Sequence, residues 1–111
     1  MKLFITGIGT DVGKTIASSI IVEALEADYW KPIQAGDLDN SDTNKVQKYV
    51  SNTTTEFHKN AYALQTPASP HLAAQIDGII IDINKIIEPK TKNNLVVEGA
   101  GGIFVPLNDA D

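Results

Sequence analysis

A glycine-punctuated loop ending in Lys-Thr, set between an apolar strand and an apolar helix, constrains this chain more than any other feature. The segment reads Gly7-Ile8-Gly9-Thr10-Asp11-Val12-Gly13-Lys14-Thr15. Before it lies Leu3-Phe4-Ile5, a short apolar run that reads as a buried strand. From Lys14 onward the pattern is helical, with Ile16, Ala17, Ile20, Ile21, Ala24 and Leu25 on one face and Glu23 and Glu26 on another. In this context successive backbone N–H groups, with the start of the helix behind them, face an anion. Gly13 lets the backbone come close. Lys14 is placed to reach the β- and γ-phosphates of a nucleotide, and Thr15 to give its hydroxyl oxygen to Mg²⁺. One residue more than usual separates Gly7 from Gly13-Lys14-Thr15. A turn built only for tightness explains the glycines, but not Lys-Thr opening an apolar helix. The loop therefore implies a nucleoside triphosphate with magnesium.

Other properties narrow the field. The 111 residues suffice for one domain, and 42% apolar with 21% charged residues is ordinary globular composition. A net charge of −5 argues against a nucleic-acid surface, which needs a basic stripe, but not against a locally aimed phosphate site. The absence of cysteine excludes disulfides and thiolate metal sites. The N-terminal apolar run is too short for a signal peptide, and no stretch approaches a membrane span, so a cytoplasmic protein is expected.

Further along, Tyr29-Trp30-Lys31-Pro32-Ile33 reads as a second strand, completing a βαβ unit. Ser41 is a candidate N-cap, with Asp42 in the first turn, for a helix through Val50. Residues 51–60 read as a polar loop that leaves His58 solvated. Thr66-Pro67-Ala68-Ser69-Pro70 is a turn, from which Pro70 opens a helix through Gln75. His71 reads as a packing or capping residue at that helix start, and Trp30 as core or sheet-edge packing. Ile79-Ile80-Ile81 reads as a loop before a helix from Ile83 to Glu88 capped by Asp82, with a short strand as the alternative. Leu95-Val96-Val97 is the clearest later strand, and Glu98-Gly99-Ala100-Gly101-Gly102 turns after it. Val105 to Asp111 then stop without a capping element, so the chain reads as cut inside a fold.

Two carboxylates are candidate metal ligands. Glu98 ends a buried parallel strand, where ligands bind in open α/β sheets, and magnesium at a nucleotide commonly takes one or two carboxylates. Asp42 on its own reads first as a residue favourable to the helix dipole, with metal ligation as the alternative.

These residues resemble a known family. The segment from Thr6 to Thr15, including the five-residue spacing, is similar to the N-terminal loop of dethiobiotin synthetases. Lys31-Pro32-Ile33-Gln34-Ala35-Gly36, Asn40-Ser41-Asp42, Ser69-Pro70-His71 and Val97-Glu98-Gly99-Ala100-Gly101-Gly102 resemble further family blocks in the same order, and Pro106-Leu107 continues the last. The resemblance implies ATP- and Mg²⁺-dependent carboxylation of 7,8-diaminopelargonate with CO₂, closing a ureido ring in biotin biosynthesis. It implies catalytic roles for Lys31, Lys14 and Thr10, with Lys31 holding the carbamate and the transferring phosphate. Nucleotide contacts fall on Gly9, Thr10, Asp11, Val12, Gly13, Lys14, Thr15, Asp42, Glu98 and Gly101, and metal contacts on Thr15, Asp42 and Glu98. Asp11 stands where many members carry Glu, and Ala35 where many carry Ser or Thr. A homodimer is implied as well.

The fold expected is α/β, a three-layer P-loop NTPase type with a mainly parallel sheet. The chain, 1–111, is expected to be a single ATP-binding domain corresponding to the family's N-terminal part, with the C-terminal half absent. Three rivals share features of this pattern. Partition-type ATPases typically carry a signature Lys where this chain has Gly9, and cobyrinate-type amide ligases should lack the Lys31-Pro32 strand. A non-catalytic nucleotide-binding fragment is the third.

Overall fold

The computed structural model describes residues 1–6 and 13–100. Its architecture is α/β, and every strand pairing among these residues is parallel. The strands are β1 (Lys2–Ile5), β2 (Asp28–Trp30), β3 (Ile33–Ala35), β4 (Phe57–His58), β5 (Tyr62–Leu64) and β6 (Leu95–Glu98). The helices are α1 (Gly13–Leu25), α2 (Asp42–Tyr49) and α3 (Pro70–Asp77), with 3₁₀ turns at Leu38–Asn40 and Ile83–Lys85. One four-stranded sheet has the order β1-β6-β2-β4, and β3 and β5 form a separate pair. The expected βαβ unit forms, with β6 inserted between its two strands.

Two apolar cores result. Val22 of α1, Ala27, Tyr29 of β2, Val46 of α2 and Val96 of β6 fill the first, between sheet and helices. Ile33, Leu64, Ala73, Ala74 and Ile81 fill the second, around the small sheet and α3. The chain passes from one core to the other at Lys31-Pro32. Proline cannot donate to a ladder, so the single strand expected from Tyr29 to Ile33 breaks there. The carbonyl of Pro32 accepts from the N–H groups of Ala61 and Tyr62 instead.

Other expectations are corrected. β1 is an edge strand of the described sheet rather than a buried one, and Phe4 is 64% exposed. The polar stretch 51–60 contains β4, whose Phe57 packs against the first core. The helix expected from Ile83 to Glu88 shrinks to one 3₁₀ turn, although Asp82 does cap it, accepting from the N–H of Asn84. Helices α2 and α3 begin where expected, with Ser41 accepting from the N–H of Asn44 and Pro70 opening α3.

Helix α1 turns its polar start inward. Its buried face is Lys14, Thr15, Ser18, Ser19 and Val22, whereas Ile16 and Ile20 are 49% and 65% exposed. The cause is helical phase. Lys14 and Thr15 point inward, and the 3.6-residue period then carries positions 18, 19 and 22 to the same side. The isoleucines are left facing out, where with Ala24 and Tyr49 they line an apolar groove.

Candidate active site

Parallel pairing puts the carboxyl ends of β1, β6 and β2 on one edge, and register brings the candidate residues together there. Ile5 lies opposite Glu98, and Trp30 opposite Val97, so Lys31 leaves β2 level with Glu98. Val96 and Glu98 share a face of β6, because strand side chains alternate. Tyr29, opposite Val96, is therefore the diagonal neighbour of Glu98, and its hydroxyl donates to Glu98 Oε1 at 2.9 Å. From above, Thr15 at the start of α1 donates its hydroxyl to Glu98 Oε2 at 3.3 Å.

Lys31 completes the cluster. Its ammonium bonds Asp42 Oδ2 at the first position of α2 and lies 3.6 Å from Glu98 Oε2. Three segments distant in sequence thus converge through one buried ammonium. Lys45, one turn into α2, places its ammonium 3.9 Å from Asp42 Oδ1. The pocket beside the cluster has a volume of about 300 Å³. Its lining includes the polar Lys14, Thr15, Lys31, Asp42 and Lys45 and the apolar Ala35, Pro67, Ala68, Pro70 and Ala100.

The electrostatics divide the two carboxyls. Burial raises Glu98 above the ordinary carboxylate range, and the charge of Asp42 adds to it, against the opposing pull of Lys31 and the Tyr29 hydroxyl. Burial acts upward on Asp42 too, but the hydrogen bond and charge of Lys31 prevail and hold it below its ordinary value. Asp42 thus keeps its charge while Glu98 takes up a proton more readily. Burial first, then the Glu98 carboxylate, push the Tyr29 phenol upward, so it remains a donor.

This donor set fits magnesium. Thr15, Asp42 and Glu98 offer oxygen only, the preference of a hard divalent cation. A carboxyl as crowded as Glu98, buried and close to a second carboxylate, is one whose ionised form a dication would favour.

The structure brings together Lys14, Thr15, Lys31, Asp42 and Glu98, with Gly13 opening α1. Gly9, Thr10, Asp11, Val12 and Gly101 lie outside the described residues. Three further residues of the site, Tyr29, Gln34 and Lys45, were not singled out by sequence reasoning. Tyr29 was legible only as an apolar strand residue, since nothing in a sequence reports a diagonal cross-strand contact. Lys45 could have been found from its place one turn after Asp42 on the same helix.

His58 is corrected. It lies in β4, and its Nε2 is 2.9 Å from Asp28 Oδ2. Asp28, Glu56 and His58 are close enough to share a metal. The fully buried Asp28 is already saturated, however, accepting from the Glu56 N–H, the Asn93 amide and the Thr91 hydroxyl besides its contact with His58. It bolts β2, β4 and the approach to β6 together at the end of β2 away from Lys31.

Comparison with known proteins agrees with this architecture. A family model described as "AAA domain" matches residues 1–111. A protein of Christiangramia forsetii named "ATP-dependent dethiobiotin synthetase BioD" is 66% identical over 105 residues, covering 95% of this chain and 51% of that protein. Proteins of the same name from Cytophaga hutchinsonii and Afipia carboxidovorans are 49% and 48% identical, over 99% and 97% of this chain and 53% and 52% of their own lengths. The chain thus spans about half the length of the curated relatives it matches. The whole-chain match and the parallel α/β sheet together show that the chain belongs to this AAA domain family, of the P-loop NTPase fold, and that its likeness within the family runs to the dethiobiotin synthetases.

Proposed function

We propose that this chain is the ATP-binding domain of a dethiobiotin synthetase, which uses ATP and CO₂ to close a ureido ring on 7,8-diaminopelargonate. The observation that carries this reading is the convergence of Lys31, Asp42 and Glu98 beneath the Lys14-Thr15 start of α1. The names of the relatives supply the reaction class.

The family resemblance supplies the reaction, and the pocket's residues are assigned roles in it. One amine of the diamine loses a proton and bonds to CO₂, giving a carbamate. A carbamate oxygen then attacks the γ-phosphorus, and the bond from phosphorus to the ADP oxygen breaks. The second amine attacks the carbamate carbon and gives up a proton to the departing phosphate, the carbon–oxygen bond to that phosphate breaks, and the ring closes. Negative charge gathers where carbamate and phosphate meet, and the ammonium groups of Lys31 and Lys14 are the neutralising charges for it. Their work is to hold two anions in line, the larger part of catalysis for a phosphoryl transfer. Thr15, Asp42 and Glu98 would hold Mg²⁺, which supplies additional charge at the phosphates when bound. The apolar lining residues Ala35, Pro67, Ala68 and Pro70 suit the methylene body of the diamine. Thr10, with Gly9, Asp11, Val12 and Gly13, would cradle the phosphates, and Gly101 would add a contact. The reading carries with it a homodimer working in the cytoplasm. Among the described residues no helix is long and apolar enough to cross a membrane.

The test is phosphate release from ATP with Mg²⁺ and bicarbonate, with and without 7,8-diaminopelargonate, using the full-length protein against a Lys14→Ala control. Stimulation by the diamine that disappears in the control supports the reading. A rate indifferent to the diamine refutes the substrate.

A further inference from the structure

Asp42 can pair with Lys31 only if the start of α2 is held against the sheet, and α2 is only eight residues long. The first N–H groups of a helix have no partner within it. Ser41 satisfies one of them, that of Asn44. The N–H of Asp42 itself is satisfied from another element. Gln34, buried in β3, accepts from it through Oε1 at 3.1 Å. The other end of the same carboxamide donates to the Gly36 carbonyl at 3.0 Å. Both ends of the side chain are thus engaged, one at the turn after β3 and one at α2.

We infer that Gln34 is a positioning residue: its carboxamide latches the first turn of α2 to β3 and so sets where the Asp42 carboxylate stands for a bound metal–nucleotide. The chain runs from Lys31 through Pro32 directly into β3, so Gln34 lies three residues beyond the ammonium that Asp42 meets. The latch therefore fixes Asp42 to the same stretch of backbone that carries its partner. An apolar residue in its place leaves the Asp42 N–H and the Gly36 carbonyl without these bonds, and frees the helix start to shift. This inference rests on the nucleotide reading above.

A double-mutant cycle tests it. Mn²⁺ with a non-hydrolysable ATP analogue is titrated into the full-length protein, bound Mn²⁺ is read by electron paramagnetic resonance, and melting temperature is recorded in parallel. Gln34→Leu is expected to weaken Mn²⁺–nucleotide binding about tenfold, as loss of an outer partner of a ligand does. In an Asp42→Asn background the same change should cost less than about twofold, because the residue it acts through is already disabled. A purely structural role would lower the melting temperature without this dependence on Asp42. Gln34→Met serves the same purpose should the Leu variant fail to fold. Equal loss in both backgrounds, no loss in the wild-type background, or an Asp42→Asn variant that binds as tightly as wild type would each overturn the inference. A wild-type protein that takes up no Mn²⁺–nucleotide overturns the nucleotide reading itself, and this one with it.

Discussion

Replacing Lys31 with methionine isolates what its ammonium does for the two carboxylates. The side chain is 8% exposed, against 19% for Asp42 and 1% for Glu98, so the change strips a buried cation from two largely buried acids. Breaking a buried pair by removing one partner costs about 3–5 kcal/mol. The lower end, about 3 kcal/mol, is expected, since Asp42 is partly open to water and Glu98 can take up a proton. That proton gives the loss a pH signature. Glu98 already lies above its unfolded-state value, and without Lys31 it rises further. Between the two values the folded state holds a proton that the unfolded state has released. Stability therefore falls as pH climbs through that window, and levels off above it. Urea unfolding of wild type and Lys31→Met at about pH 5 and about pH 8 should show the larger difference at the higher pH. Adding Glu98→Gln to the variant should recover at least about 1 kcal/mol at the higher pH, through coupling of neighbours. A loss under about 1 kcal/mol at the higher pH, or one independent of pH, would refute the reasoning.

Three other outcomes are expected. Tyr29→Phe keeps the ring contact with Phe57 at 6.4 Å but removes the hydroxyl donated to Glu98; chemical denaturation should show a loss of about 1.5–3 kcal/mol, and a change under about 0.5 kcal/mol would count against that bond. Gly36 has φ +78°, and a Cβ there would lie 2.5 Å from the Pro67 Cβ. Gly36→Ala should therefore cost at least about 2 kcal/mol by the same assay, and a neutral result would show that Pro67 yields. Glu23 accepts from the Ser51 and Asn52 side chains and backbone, which hold it down from 4.5 to about 2. Its contribution is complete above the unfolded value and drains away as pH falls toward the folded one. Glu23→Gln should flatten that acid limb of melting temperature against pH, and an unchanged limb would show that the clasp is idle.

What could be read in advance divides by the range of the interactions. The start of α2 at Ser41, the start of α3 at Pro70 and the central strand at Leu95 depend on local chemistry, and all three form as read. Lys14 and Thr15 open α1 as the local pattern placed them, while loop residues 7–12 lie outside the described residues. Lys31 and Asp42 were weak on their own residues and needed the family pattern, because what makes them a site is their meeting in space. The strands β4 and β5 were missed because each is two or three residues long; such strands exist through a neighbour's ladder and leave no periodicity. The split at Pro32 was within reach, since proline inside a strand pattern warns of a break. The apolar stripe of α1 forms as read, but which side faces the core is set by Lys14 and Thr15 turning inward, so Ile21 packs against the core while Ile16 and Ile20 do not.

The outward stripe of α1 sets two demands on one helix. Rotating the helix to hide Ile16 and Ile20 would gain on the order of 1.5–3 kcal/mol for each isoleucine fully withdrawn from water. The same rotation would swing Thr15 away from Glu98 and Lys14 out of the pocket. Among the described residues the helix keeps the azimuth that holds Thr15 at Glu98 and leaves the two isoleucines outward. An element that covered the groove beside Tyr49 would bury these isoleucines without turning Thr15 from Glu98, so the outward stripe and the inward polar start can both be satisfied at one azimuth.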